Sequence, residues 1–257
     1  MKPTKEKLVE LYVDKNLTTY EIAEFFNVSR RTVGRWFRQY DIPVNPKQRK
    51  YQKAKKIPFT KEQKEMIVGT LLGDGFIGEH GRKNKNCRIH IAHCEKQKNL
   101  VLLKKAILGN FVNKIHRKED KRKNSVMWSF VSVVHNEFKF FRKLFYDGNK
   151  KVIRKDLEHY ISPLSLAHWV MDDGSGDGKY SIRLHTSGFS FDEQVILQNI
   201  LKIKFGIRCK ICEFTRNNKK LYYLSFNKRN SQILSDLIRE YMIDDMKYKI
   251  LPPILND

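Results

Sequence analysis

Two apolar stretches of the chain, about a hundred residues apart, share one pattern of apolar and polar positions. Residues 67–75 and residues 166–174 are each a run of apolar and small residues that ends in Asp-Gly. We interpret both runs as helices. If these helices pack against each other, Asp74 and Asp173 emerge side by side at one end of the pair.

Small residues in both runs predict a close contact between the two helices. Gly69 and Gly73 are four residues apart and therefore share one helix face. Ala167 is expected on the matching face of the second helix. Such residues let two helix backbones approach to the usual 8–10 Å or less. The glycine after each Asp, Gly75 and Gly174, is expected to adopt the left-handed conformation that often ends a helix.

From Thr60 onward the sequence can be laid on itself with an offset of about 95 to 99 residues. Each half then predicts a helix, two strands, a helix, two strands and a helix. The residues at the predicted start of the first helix in each half support this order. Thr60 with Gln63 fits a capping box, and Ser162 with Pro163 fits an N-cap followed by proline. The pattern predicts an α+β domain over residues 60–257, built as a pseudo-twofold pair of αββαββα repeats at about 60–153 and 162–257.

The N-terminal segment predicts a separate, all-α unit. A helix over residues 5–12 precedes a second helix capped by Thr18 or Thr19 and a third helix, residues 30–40, capped by Ser29. This order is typical of a helix-turn-helix domain, assigned to residues 1–46, whose last helix enters the major groove. Four side chains of that helix are predicted DNA contacts: Arg30, Arg31, Thr32 and Arg35. The alternative is an αα-hairpin that mediates protein contacts.

The charge of the chain indicates a polyanionic partner. It carries 51 Lys and Arg against 28 Asp and Glu, for a formal net charge of +23, and nucleic acid is the common polyanion for such a protein. Residues 47–59 are interpreted as a basic linker along a phosphate backbone, with Lys47, Arg49 and Lys50 as contacts. A membrane surface is the alternative, but no apolar run approaches about 18 residues. The N-terminus has no signal-peptide core, so we expect an intracellular protein without membrane contact.

Strand alternation gives each predicted sheet one cationic face. Apolar residues such as Ile89 and Ile182 are expected to face the helices, and their neighbours to face outward. The outward residues predicted to contact DNA are Arg88, His90, Arg183, His185, Arg208 and Lys210. An ordinary solvated sheet face is the alternative for any one of them. The spacing of Cys209 and Cys212 resembles a zinc knuckle, but strand alternation favours reduced thiols.

Two carboxylates where closely packed helices end predict a cation site. Like charges held together raise each other's pKa unless a cation lies between them, and helix C-termini also favour a cation. Asp74 and Asp173 are hard oxygen donors, which indicates Mg²⁺ or Mn²⁺ as the cofactor. With DNA on the basic surface, such a metal would activate water for cleavage of a phosphodiester bond. Lys151 and Lys249 lie at matching distances after the two aspartates and could neutralise developing charge.

The motifs resemble those of single-chain LAGLIDADG homing endonucleases. The resemblance rests on residues 69–75 and 166–174 and extends to Asn86-Cys-Arg-Ile, Leu164-Ser-Leu-Ala and Tyr248-Lys-Ile. It implies metal-binding catalytic aspartates at Asp74 and Asp173 and active-site lysines at Lys151 and Lys249. It also implies double-strand cleavage at a long DNA site by a monomer. The segment of residues 19–33 resembles the helix-turn-helix domains of DNA-binding regulators.

Three positions depart from the family motifs. Leu72 replaces the first Asp of the motif, His168 stands where the tightest helix contact prefers Gly, and Asp172 replaces Ala. Asp172 therefore joins the expected metal-ligand set beside Asp74 and Asp173, with Gly73 as the fourth member. Two alternatives to an endonuclease stay open on the same scaffold. One is a maturase that binds host intron RNA, and the other is a non-catalytic DNA-binding regulator.

Overall fold

A computed structural model describes residues 2–15, 17–42, 57–80, 86–120, 122, 124–177 and 180–254. The N-terminal segment contains three α-helices and one π-helical turn among the residues described. They are α1 (Lys5–Val9), the π-helix Glu10–Asp14, α2 (Thr19–Phe25) and α3 (Arg30–Gln39). Their apolar faces meet in a hydrophobic cluster that is distinct from the main core. The three predicted helices are thus confirmed as elements, although the first changes its hydrogen-bond pattern at Glu10.

The predicted capping residues begin these helices. Thr18 accepts a hydrogen bond from the Glu21 amide, and the Glu21 carboxylate accepts one from the Thr18 amide, which is a capping box. Ser29 accepts a hydrogen bond from the Thr32 amide at the start of α3. Asn27 has a left-handed backbone in the turn between α2 and α3, with φ of 49°. The turn therefore lies where the sequence predicts it.

The rest of the described chain repeats one order of elements twice. The first repeat comprises α4 (Lys61–Leu72), β1 (Phe76–His80), β2 (Asn86–Cys94), α5 (Lys98–Leu108), β3 (His116–Asp120), β4 (Ser125–Val131) and α6 (Glu137–Phe145). A short hairpin, β5 (Tyr146–Asp147) with β6 (Lys150–Lys151), follows it. The second comprises α7 (Pro163–Asp173), β7 (Gly174–Gly176), β8 (Ile182–Leu184), α8 (Phe191–Phe205), β9 (Lys210–Arg216), β10 (Lys219–Phe226) and α9 (Lys228–Ile238). The predicted order αββαββα is confirmed in both halves.

Each repeat forms one four-stranded antiparallel sheet. The strand order is β1-β2-β4-β3 in the first sheet and β7-β8-β10-β9 in the second. Because these orders match strand for strand, the internal repeat of the sequence is a repeat of topology. Thr60 begins α4 with the predicted capping box. Ser162 is the predicted N-cap of α7, with Pro163 as the first helical residue, and it also forms a capping box with Ser165.

One large hydrophobic core spans both repeats, and the sheets have the predicted sidedness. Ile89 and Ile91 of β2 and Ile182 and Leu184 of β8 are buried in that core. Their neighbours of opposite side-chain direction are half-buried or exposed. Among the residues described, no helix could cross a membrane, since the longest has 15 residues and is amply charged.

Candidate active site at the crossing of two helices

The helices α4 and α7 touch through glycine on one side and larger residues on the other. A Cβ atom at Gly69 would lie 2.1 Å from the Ser165 carbonyl oxygen and 2.8 Å from the His168 Cβ atom. A Cβ atom at Gly73 would lie 2.5 Å from the Cβ atom of Asp172. All three distances are well below van der Waals contact, so only glycine allows this approach.

The expectation that Ala167 faces these glycines is wrong. Its place is taken by Ser165, His168 and Asp172, which are spaced by three and four residues and so form one helical stripe. Ala167 lies off this stripe and is buried in the main core. The departure at His168 is compatible with close packing because Gly69 opposite it has no side chain. Burial lowers the pKa of His168 to about 3, so the imidazole is neutral.

The expectation of left-handed glycines after the aspartates is also wrong. Gly174 is extended, with φ of −74° and ψ of 144°, and Gly75 does not have positive φ either. Glycine is needed there for space instead. A Cβ atom at Gly75 would lie 2.4 Å from the Thr70 Cγ2 atom, and one at Gly174 would lie 2.4 Å from the Val170 carbonyl oxygen. In each repeat, the chain passes from this helix into the first strand of the sheet of that repeat.

Asp74 and Asp173 lie together at the C-terminal ends of α4 and α7, as predicted. Burial, together with the nearby carboxylates of Asp74 and Asp172, raises the pKa of Asp173 to about 7, against the opposing charges of Lys151 and Lys249. Burial and the charge of Asp172 also raise the pKa of Asp74. The two carboxylates therefore lack full compensation by the cations of the protein.

Lys151 and Lys249 hold the two helix ends in the same manner. The Lys151 Nζ atom donates to the carbonyl oxygens of Gly73 and Gly75, at 2.8 and 2.9 Å. The Lys249 Nζ atom donates to those of Met171 and Asp172, at 2.6 and 3.2 Å. Burial lowers the pKa of both ammonium groups. The predicted four-residue set of two aspartates and two lysines is thus brought to one place.

Asp172 differs from the other three expected metal ligands. Its side chain is fully buried, and its Oδ1 atom accepts a hydrogen bond from the Lys104 Nζ atom at 2.5 Å. The His93 Nε2 atom lies 3.4 Å from the same oxygen. The positive charge of Lys104 and the contact of His93 outweigh burial and lower the pKa of Asp172 to about 2. Asp172 is therefore an ionised counterion of Lys104 in this structure.

The sequence interpretation missed Lys104 and His93, although both leave a signal. Lys104 shares a helical face with Leu100, Val101 and Leu108, all of which are buried. His93 continues the inward alternation of β2 that begins with Cys87 and the two isoleucines. A charged or titratable residue in register with apolar neighbours indicates a buried polar contact.

The residues of this site could supply some of the ligands of a divalent cation. Asp74 and Asp173 supply hard oxygen donors whose raised pKa values reflect negative charge that a cation would neutralise. Within the described ranges, however, no group of three or more His, Cys, Asp and Glu residues could hold a metal. The protein thus offers two carboxylates, and the remaining ligands would be water and a substrate oxygen.

Three of the predicted sheet contacts pair through the backbone with residues at or just after the two aspartates: His90 with Phe76, Arg183 with Ser175, and His185 with Asp173. The His90 ring stacks on Phe76, which is half exposed, with centroids 4.5 Å apart and an interplanar angle of 9°. In the second half, the Ser175 Oγ atom lies 2.8 Å from the His185 Nε2 atom. Arg183 lies over the Tyr223 ring at 5.8 Å. Arg88, next to His90 in the sheet, is half-buried.

Arg208 and Lys210 lie farther out, in the second repeat. Both are exposed and line a cavity of about 560 Å³ together with Asn227 and Arg229. The amide of Arg208 donates to the Asn230 side chain at 2.7 Å, which ties the segment before β9 to the first turn of α9. The cavity therefore groups three cations, and no acidic residue lines it.

The predicted contacts of the N-terminal unit have unequal surroundings. Arg31 and Arg35 are exposed on α3. The Arg30 guanidinium lies over the Tyr20 ring at 4.4 Å and donates to the Tyr20 hydroxyl at 2.9 Å, so α2 holds it. Thr32 shares a hydrogen bond with Ser29. Lys47, Arg49 and Lys50 lie outside the described residues.

Comparison with known proteins identifies the class to which this repeated fold and its paired motifs belong. The family model of the LAGLIDADG DNA endonuclease family matches residues 64–234. The chain belongs to that family. It is 31% identical over 202 residues to a probable intron-encoded endonuclease 1 of Wickerhamomyces canadensis, a match that covers 75% of this chain and 85% of the relative.

A solved structure of a homing endonuclease has the same fold, and a second sequence relative is named for a different function. The homing endonuclease I-WcaI bound to its DNA recognition sequence has 28% identity and a TM-score of 0.67 to this chain, and the match covers 77% of this chain and 90% of the other. The cytochrome b mRNA maturase bI2 of Debaryomyces hansenii is 28% identical over 201 residues, covering 75% of each protein. The family membership and the predicted α+β fold are confirmed by these matches.

Proposed function

We propose that this protein is a site-specific endonuclease that cleaves both strands of a long DNA target. One observation carries the proposal: two carboxylates lie at the crossing of two helices, each helix end is held by a lysine ammonium group, and a basic sheet flanks each carboxylate. The family description and the DNA-bound relative support it. Because one chain carries both repeats, a monomer can present one half-site to each strand.

Asp74 and Asp173 would hold the divalent cation, Mg²⁺ or Mn²⁺, and the bound ion would activate water and stabilise charge on the phosphate oxygens. Lys151 and Lys249 have a different task. Each lysine donates hydrogen bonds to backbone carbonyl oxygens at the end of one helix. Each therefore fixes the backbone that carries one aspartate. Their charges also lie close enough to Asp173 to lower its pKa, so they add to the positive potential at the reacting phosphate.

DNA binding would use both sheets and the N-terminal unit. Arg88, His90, Arg183 and His185 flank the carboxylates, and Arg208 and Lys210 extend the cationic surface outward. We propose that residues 1–46 form a helix-turn-helix domain whose Arg31 and Arg35 contact DNA, with residues 47–59 as a basic linker. Such an addition would lengthen the target site or bind an operator of the same gene.

Cleavage of a randomised DNA library tests the proposal. The protein is incubated with the library and Mg²⁺, and the new DNA ends are sequenced. The proposal predicts ends at one recurring sequence, on both strands, and none when a chelator replaces the metal. Ends at random positions, or no ends at all with Mg²⁺ or Mn²⁺, would refute site-specific cleavage.

A second candidate function is RNA binding as a maturase. The observation that favours it is the 28% identity to the maturase of Debaryomyces hansenii over three quarters of this chain. Filter binding with the RNA of the host intron tests it, with an unrelated RNA of equal length as control. Equal retention of both RNAs would remove this candidate. The regulator alternative has less support, since both carboxylates and both lysines are present at the site.

A further inference from the structure

A buried ion pair lies directly beneath the active-site carboxylates. Lys104 reaches from α5 of the first repeat to Asp172 on α7 of the second, with Nζ and Oδ1 2.5 Å apart and both side chains fully buried. Removing two charges from water is costly, and apolar residues of similar size often stabilise a fold equally well. Stability is therefore a weak reason for this pair, and its position suggests another.

His93 connects this ion pair to one catalytic carboxylate. Its Nε2 atom lies 3.4 Å from the Asp172 Oδ1 atom, and its Nδ1 atom lies 3.6 Å from the Asp74 Oδ2 atom. The Gln97 Oε1 atom lies 3.1 Å from the same Nδ1 atom and helps to fix the ring. A continuous series of contacts thus runs from Lys104 through Asp172 and His93 to Asp74.

The second half of the site lacks this arrangement. In the repeat, the position of Asp172 corresponds to Gly73, which has no side chain and lies against Asp172 itself. In the part of the chain that the structure describes, the charged groups that shift Asp173 are Asp74, Asp172, Lys151 and Lys249, and no imidazole is among them. The pseudo-twofold symmetry of the backbone is therefore broken in the residues behind the two aspartates.

We propose that Lys104, Asp172 and His93 are positioning residues that orient the Asp74 carboxylate, so that cleavage of one DNA strand depends on them far more than cleavage of the other. This inference rests on the proposed endonuclease function. Lys104 keeps Asp172 as a fixed buried anion. Asp172 and Gln97 hold the His93 ring, and the ring sets the direction of the Asp74 carboxylate.

Two amide substitutions of His93 separate its two contacts. In His93→Gln, the amide nitrogen falls near the place of Nε2, so the contact with Asp172 is retained and that with Asp74 is lost. In His93→Asn, the amide falls near Nδ1, and the contact with Asp74 is retained. The matched pair changes the size and polarity of the side chain similarly, so a purely structural role would affect both variants alike.

A double substitution tests the ion pair. Lys104→Met alone leaves Asp172 as an uncompensated buried charge and is expected to unfold the protein. Lys104→Met with Asp172→Leu removes both charges and fills the space, so this variant is expected to fold. Thermal unfolding and circular dichroism check that it does. Affinity for the DNA target in Ca²⁺ checks binding apart from cleavage.

The experiment measures the rate at which each strand is cleaved, under single-turnover conditions and with both strands of the target labelled. We expect His93→Gln, which loses the contact with Asp74, to slow one strand by about 10- to 100-fold, so that nicked DNA accumulates. His93→Asn and the double variant keep that contact and lose only the one with Asp172, so they should slow the same strand to a smaller extent, and DNA affinity should stay unchanged in all three. Equal slowing of both strands, or wild-type rates on both, would overturn the inference. Failure of the wild-type protein to cut either strand would instead refute the endonuclease function.

Discussion

Lys249 donates a hydrogen bond to the carbonyl oxygen of Asp172 at 3.2 Å, at the last turn of α7. The same relationship recurs in the first repeat, where Lys151 donates to the carbonyl oxygen of Gly73 at 2.8 Å. Both acceptor residues directly precede one of the two paired aspartates, Asp74 and Asp173, in the sequence. A backbone contact of this kind tolerates different side chains at the acceptor position, and so it persists although Gly and Asp differ.

Loss of the Lys249 ammonium group should reduce cleavage more than binding. In Lys249→Met the end of α7 loses two hydrogen bonds and the site loses one positive charge, so we expect cleavage to fall by about 10²- to 10³-fold. Lys249→Arg keeps the charge but not the fit of a single ammonium, and should fall between. Single-turnover rates and DNA affinity in Ca²⁺ measure the two effects. A loss of affinity equal to the loss of rate would contradict this role.

The close approach of α4 and α7 should make Gly69 intolerant of any side chain. Its Cβ atom would overlap the Ser165 carbonyl oxygen, so Gly69→Ala should lower the free energy of unfolding by about 1–3 kcal/mol or more. Gly188 is the control, since a Cβ atom there would meet nothing within 4 Å and its φ is not positive. Gly188→Ala should change stability by no more than about 0.5 kcal/mol. Denaturant unfolding of both variants makes the comparison.

The raised pKa of Asp173 predicts that stability without metal falls as pH rises. The folded protein binds a proton at this group up to about pH 7, whereas the unfolded chain releases it near the ordinary value of about 4. Between these values the native state holds more protons, so this group's contribution to stability declines with rising pH. Asp173→Asn should flatten the decline, which thermal unfolding in EDTA at several pH values would reveal. An unchanged profile would contradict the raised pKa.

Mg²⁺ should offset the loss of stability that a rise in pH causes. The cation needs ionised carboxylates, so the rise in melting temperature caused by Mg²⁺ should grow as pH increases through about 7. Asp173→Asn should abolish most of that rise. The measurement is thermal unfolding with and without Mg²⁺ at matched ionic strength, and Asp147→Asn, an exposed carboxylate on β5, serves as the control.

DNA affinity should fall steeply as the salt concentration rises. Individual arginines should differ in whether they contact a base or only the phosphate backbone. If Arg31 reads a base, Arg31→Ala should cost about 1–3 kcal/mol on the cognate site and less on other sequences. If it touches only phosphate, the loss should be equal on every sequence and the salt slope should fall by about one. Arg30, which stacks on Tyr20, should show the smaller sequence preference. Fluorescence anisotropy over a salt series distinguishes these outcomes.

The repeat predicted much of the fold, because the same order of helices and strands had to satisfy two stretches of sequence at once. Helix starts at Thr60 and Ser162 were readable from local capping chemistry. The face of α7 that contacts α4 was not, since its residues Ser165, His168 and Asp172 are larger than glycine. They fit only because Gly69 and Gly73 of α4 have no side chain. Ala167 was therefore chosen wrongly.

Contacts between distant parts of the chain explain what else the sequence could not provide. Its position next to Asp173 places Asp172 among the expected metal ligands, whereas in the structure its carboxylate is paired with Lys104, which lies 68 residues earlier in sequence. A glycine that follows a helix often has a left-handed backbone, and this general tendency is the basis of the expectation for Gly75 and Gly174. In the structure, glycine is required at these two positions because a Cβ atom would overlap Thr70 or Val170. Local patterns specify elements, and long-range pairing specifies the role of each buried charge.

Cleavage by Asp74→Asn and Asp173→Asn tests the central claim most directly. Each substitution keeps the size of the side chain and removes one negative charge, so the fold and DNA affinity should persist. With the cognate target and Mg²⁺, both variants should lose double-strand cleavage by at least about 10³-fold, while Asp147→Asn should cleave like the wild type. Cleavage of both strands at the wild-type rate by Asp74→Asn or by Asp173→Asn would contradict the assignment of this site.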